Sequence, residues 1–143
     1  MFTHIKTSKE NRESVSKLSR KLNLGTENHI ARIALTYSLS KDRKMDLTKI
    51  SNSGGKEYSK NVLFGDYLTY YVSLICVHYD IYKTDKDIPK YIKMHIDDGL
   101  QLIKKEIEEN PNLDGFEYII DKIENGLQEL VGGSHEFEGP IKE

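Results

Sequence analysis

The sequence predicts a mainly α fold: a compact helical domain of about five helices, with a ribbon-helix-helix-like N-terminal part and at most short strands. Three observations carry that expectation. Apolar residues recur at three- and four-residue spacings in five separate segments. Gly, Pro and Asn stand between those segments, where helices stop. Strand-like alternation is confined to short stretches such as 2–6 and 47–50. The 143 residues fit one domain, enough to bury about 70% of the unfolded chain's surface. That domain is read over 1–131, and the Gly-containing, apolar-poor stretch 132–143 as a disordered tail.

Residues 2–6 predict a short strand. Ser8 is the expected N-cap of a helix over 9–22, whose stripe is Val15, Leu18 and Leu22. Gly25 is the expected left-handed end of that helix, and Thr26 the cap of the next, over 26–39. The apolar face of the second helix is expected to be Ile30, Ile33, Ala34 and Tyr37. Residues 40–60 break into charges, Ser, Asn and Gly, and read as a loop or weak hairpin.

Residues 62–64 read as a short strand, after which Asp66 is expected to cap a helix reaching about Tyr82. Leu68, Tyr71, Val72, Ile75 and Tyr79 form one stripe of it, and Tyr70, Leu74, Val77 and Ile81 cover most of the other side. A helix apolar nearly all round belongs in a core or an oligomer interface. Asp87 and Pro89 open a further helix carrying Ile88, Tyr91, Ile92, His95, Ile96, Gly99, Leu102, Ile103 and Ile107 on one face. This helix is expected to pack on the preceding one, with Gly99 marking a close crossing. Asp114 and Glu117 resemble a capping box for a last helix, with Phe116, Ile119, Ile120, Ile123, Leu127 and Leu130 on its buried face and Gly132 and Gly133 at its end.

The overall charge of −2 hides an asymmetry. Residues 1–60 hold thirteen Lys and Arg against six Asp and Glu, a net +7, and the remainder is −9. A basic N-terminal half implies a polyanion-facing surface. Its candidate contacts are Lys9, Arg12, Lys17, Arg20, Lys21 and Arg32. Lys17 and Lys21 lie one helical turn apart, with Arg20 beside them. Cys76 is the only cysteine, so no intrachain disulfide can form, which fits a reducing cytoplasm. The start MFTHIKTSKEN has no apolar signal-like core, and the longest uncharged run, 67–79, is shorter than the roughly 20 residues a membrane helix needs. No secretory signal or membrane partner is expected.

Catalytic chemistry finds no motif. His78 with Asp80, and His95 with Asp97 and Asp98, are His and carboxylate neighbours, and neither has the four-residue pairing of a zinc-protease helix. His95 falls on an apolar stripe and reads as a hydrogen-bonded core histidine. Gly54-Gly55-Lys56 is followed by Glu57 where a phosphate-binding loop needs Ser or Thr. No enzyme activity, metal or cofactor is expected. Lys and Arg on a surface do predict salt-sensitive phosphate contact.

The order of basic helix, Gly-Thr turn, HIARIALTYSL, a loop ending GKEY, VLFGDYL and then HIDDGLQLI resembles the DndE family of DNA sulfur modification (phosphorothioation) proteins. The resemblance spans roughly 5–105 and rests on Gly55, Lys56 and Glu57, on LFGD at 63–66 and on HIDDG at 95–99. It implies a small helical, non-catalytic subunit of the bacterial machinery that replaces a phosphate oxygen by sulfur. Such a subunit would work beside other DNA sulfur modification proteins, as a homo-oligomer with a tetramer favoured, on double-stranded DNA with a preference for nicks. By position, Lys17 and Lys21, with Arg20, fall where the family has its lysine-rich first helix. The strand-helix-helix start also resembles a ribbon-helix-helix regulator or antitoxin, although Phe2, His4 and Lys6 make a poor base-reading set. A protein-binding scaffold whose basic half meets an acidic partner is the third reading.

Overall fold

Strand β1 (His4–Lys6) pairs antiparallel with β2 (Glu57–Ser59), with Ile5 opposite Tyr58. Both central residues are buried while His4, Lys6 and Glu57 face solvent, the two-residue period of a half-buried ribbon. In this computed structural model residues 2–131 are described with their side chains, and the backbone of the last helix is assigned as far as Ile141. The tail expected at 132–143, with its glycine stop, lies outside the described residues. The chain forms two compact units, 1–111 and 112–143; the domain read over 1–131 takes in the first and part of the second.

In the first unit the expected helix over 9–22 starts as a 3-10 turn (Lys9–Asn11) and continues as α1 (Arg12–Lys21). Ser8 has the extended backbone of an N-cap but makes no side-chain cap bond. Its backbone N–H instead donates to the Asp97 carboxylate at 3.0 and 3.2 Å. Val15, Leu18 and Leu22 are buried as their spacing requires. Gly25 has φ +81°, but Asn23 (φ +54°) has already turned the chain. Helix α2 (Glu27–Ser40) follows the extended Thr26, whose hydroxyl turns to the Asn28 side chain rather than to the helix backbone.

The buried face of α2 is Ile30, Ala31, Ala34, Leu35 and Ser38; Ile33 and Tyr37 are only half-buried. The expected stripe is therefore turned toward the small residues, and the cause lies on α5 (Ile88–Glu109). A Cβ on Gly99 would lie 1.9 Å from the Ala34 carbonyl oxygen, so only glycine permits this crossing. Ala34 is the residue of α2 whose backbone Gly99 meets. α2, rather than the preceding helix, is thus the main partner of α5. Ile30, Leu35, Ile92, Ile96, Leu100 and Ile103, all at most 1% exposed, form the core between them.

Between α2 and α5 the sequence expectations fail in two places. Residues 47–49 form a 3-10 turn capped by Asp46, so of loop and weak hairpin it is the loop that holds there. Residues 60–64 form a one-turn helix, α3 (Lys60–Phe64), where a strand is expected at 62–64. The Ser59 hydroxyl accepts from the Val62 N–H, and Leu63 and Phe64 are buried. Gly65 (φ +54°) then opens a third 3-10 turn (Gly65–Tyr67), so α4 (Leu68–Tyr79) begins after Tyr67 and not at Asp66. Helix α4 ends at left-handed Asp80 and buries one side only, through Val72 and Ile75. Tyr67, Tyr70 and Val77 are exposed, Val77 at 82%.

The second unit is α6 (Gly115–Ile141). The Asp114 carboxylate accepts from the N–H groups of Phe116 and Glu117, the capping half of the expected box. Its apolar stripe is not a buried face: Phe116, Ile123, Leu127 and Leu130 are 53–72% exposed. A single helix cannot cover its own stripe, and periodicity marks a face without naming what meets it.

Candidate nucleic-acid interface

Helix α1 places its cations opposite Val15, Leu18 and Leu22. Lys9, Arg12, Lys17, Arg20 and Lys21 are all exposed. Lys9, Arg12 and Lys21 make no ion pair among the described residues. Lys17 approaches Glu13 at 3.8 Å, an exposed i,i+4 pair of little energetic weight. The Arg20 Nε–H donates to the Ser16 carbonyl at 3.4 Å, leaving the outer guanidinium edge to solvent. Arg20 and Lys21 sit in the last turn of α1, where the helix dipole favours cations.

The surroundings of these cations are mixed in charge. Lys17 and Lys21 share a groove of about 330 Å³ with Lys104 of α5 and with Glu10, Glu13 and Glu108. Lys104 is a cation that sequence order does not associate with α1; only the packing of α5 brings it there. Arg32 stands apart in role. Its Nε–H donates to the Leu63 carbonyl at 2.5 Å, and its guanidinium lies beside Gly65, so it fastens the end of α3 while half-buried.

Other cations of the N-terminal half are tied into the fold. Arg43 grips Asp98 at 2.6 Å, Lys56 pairs with Glu27 at 3.0 Å, and the Lys44 ammonium donates to the His78 carbonyl. Burial acts to raise the Glu27 carboxyl, but the Ser16 hydroxyl and Lys56 outweigh it and hold the group below its ordinary range. The net +7 therefore overstates the charge offered to a polyanion.

The family-like motifs prove to be joints. At 55–57, a Cβ on Gly55 would lie 2.1 Å from the Ser8 carbonyl oxygen, the Gly55 N–H donates to the Thr7 carbonyl, and Thr7 bonds the Lys56 carbonyl through both its N–H and its hydroxyl. At 95–99 every polar group is engaged. The Asp97 carboxylate holds Ser8 N–H, the Asn11 amide at 2.8 Å and the Lys93 ammonium at 2.8 Å, with Lys93 only 5% exposed.

His95 is fully buried, as the sequence predicts for a core histidine. The Tyr79 hydroxyl accepts from the Met45 N–H at 2.9 Å and turns its own proton to His95 Nε2 at 2.6 Å. The ring hydrogen then sits on Nδ1 and is donated to Ser38 Oγ at 2.8 Å, and Ser38 donates to Asp98 at 2.6 Å. Burial first, and then neighbouring His78, lower the His95 pKa to about 4, so the ring is neutral at pH 7. The Ser38 hydroxyl beside it is buried and committed to Asp98, so the pair forms a structural bond rather than a nucleophile and base. Among the described residues no group of three or more His, Cys, Asp or Glu is placed to hold a metal ion.

Fold and surface together define a small, mainly α protein: a two-stranded ribbon, a glycine-mediated crossing of α2 and α5, and an outward cationic helix. The chain belongs to the DndE family of DNA sulphur modification proteins, whose family model matches residues 4–111. Its fold is similar to the crystal structure of DndE from Escherichia coli B7A, involved in DNA phosphorothioation modification, with a TM-score of 0.58 and 19% identity. That match covers 72% of this chain and 98% of the other. A DndE G21/24K mutant structure matches with a TM-score of 0.59 and 18% identity, over 71% of this chain and 97% of that one. No curated protein sequence matches it. Among the described residues no helix is long and apolar enough to cross a membrane.

Proposed function

We propose that this chain is a non-catalytic DNA-binding subunit of the bacterial, cytoplasmic DNA phosphorothioation machinery, working beside other DNA sulfur modification proteins. It grips duplex phosphates through the outward face of α1, with nicked duplex preferred, and it acts as a homo-oligomer, a tetramer on the family's pattern. The observation that carries the reading is that Arg12, Lys17, Arg20 and Lys21 stand exposed on one helix of a DndE-family chain while most loop cations are bonded internally. Phosphate contacts release counterions, and one copy offers only about four to six, too few for firm binding at physiological salt. Assembly through the exposed side of α4 would multiply them. The ribbon of a regulator reads bases with side chains from its strands. Here β1 pairs with β2 of the same chain and presents His4 and Lys6, which favours phosphate contact over base reading.

Titration of nicked, intact and single-stranded DNA of one sequence at two salt concentrations tests the proposal. It predicts the tightest binding to nicked duplex, affinity that drops at least tenfold as salt rises from about 50 to 200 mM, and indifference to sequence. Salt-independent binding, or binding restricted to one sequence, would refute it.

A further inference from the structure

Helix α6 lies wholly outside residues 4–111, the region that the DndE family model matches. Its exposed surface has the form of a docking seam. Phe116, Ile120, Ile123, Leu127 and Leu130 follow one another at spacings of four, three, four and three, the heptad pattern by which one helix meets another. Ile120 is half-buried and the other four are more than half exposed. Gly126, beside Leu127, has open space where a side chain would stand, so a neighbour can come close there.

Charge decides what covers the seam. Over 115–131 the helix carries Glu117, Asp121, Glu124 and Glu129 against Lys122 alone. Glu117 and Glu124 each directly follow a seam residue, at the flanking positions that select a partner in paired helices. A second copy of α6 would bring the same net negative charge, and its one Lys in this stretch, Lys122, is not at a position flanking the seam. An anionic lipid surface would repel them.

We infer that α6 docks a helix of another protein that is apolar along its seam and basic along its flanks. The inference concerns partner choice and does not depend on DNA binding by α1.

The test uses the full-length chain and two synthetic amphipathic peptides of about three heptads. Both have Leu at the seam positions; one has Lys at the flanks and the other Glu. By calorimetry the Lys peptide should bind at least tenfold more tightly than its Glu twin, and raised salt should narrow that difference. Ile123→Asp with Leu127→Asp should abolish Lys-peptide binding and leave the thermal transition of the 1–111 unit in place. Equal binding of the two peptides, no binding of either, or Lys-peptide binding that survives the double substitution would overturn the inference. So would sedimentation showing that Leu127→Asp removes a self-association step, since the seam would then belong to a second copy.

Discussion

The outward face of α1 and the 95–99 segment of α5 both carry charged or polar side chains and put them to opposite ends. Around α1, Arg12, Lys17, Arg20 and Lys21 reach solvent with at most weak partners. In α5, His95, Asp97 and Asp98 are each held by neighbours distant in sequence, and Gly99 lies against the α2 backbone. Charged and polar residues in the second region define the fold because burial makes an unsatisfied partner expensive; in the first they leave the fold indifferent and the surface available. Each region should therefore fail in its own way when altered.

The largest effect is expected at Gly99. Gly99→Leu would drive a side chain into the Ala34 carbonyl and force α2 and α5 apart, so circular dichroism and thermal melting should find no cooperative native state. A cooperative transition near that of the parent would mean the helices can separate without loss of the core.

Next comes Asp97→Ala, which strands the buried Lys93 ammonium and frees the Ser8 N–H and Asn11 amide together. Breaking one side of a buried pair costs about 3–5 kcal/mol, and chemical denaturation should show a loss of that order. Asp97→Ala with Lys93→Met should recover part of it.

A smaller effect belongs to His95. Its folded pKa is depressed to about 4 from 6.5, so between those values the unfolded chain binds the extra proton. The stability contributed by the neutral ring is complete above about pH 6.5 and is lost as pH falls toward 4, on the order of 3 kcal/mol in all. Melting temperatures measured from pH 7.5 to 4.5 should fall for the parent and fall less steeply for His95→Gln. Parallel slopes would assign the pH sensitivity to other groups.

What sequence made legible follows the same division. Helices α1, α2, α4, α5 and α6 were visible because their apolar residues repeat at helical spacing over ten residues or more. β2, three residues long, carried no such signal, and Val62, Leu63 and Phe64 read as strand formers until α3 placed Leu63 and Phe64 in the core. On α2 the expected Ile30 and Ala34 are buried, but Ala31 and Ser38, small rather than conspicuously apolar, are buried where Ile33 and Tyr37 are only half-buried, and Gly99 of α5 lies against the Ala34 backbone. The α1 cations were legible as residues. Their competition was not, because Arg43 with Asp98, Lys56 with Glu27 and the Glu108 beside Lys17 and Lys21 are set by packing across long sequence separations.

The contrast between the two regions is tested most directly by titrating duplex DNA with the Lys17→Glu, Lys21→Glu double variant at moderate salt, alongside its thermal melt. The expected result is at least a tenfold loss of affinity with stability within about 0.5 kcal/mol of the parent, as exposed sites allow. Full affinity for DNA in a normally folded double variant would contradict the assignment of α1 as the DNA-facing surface.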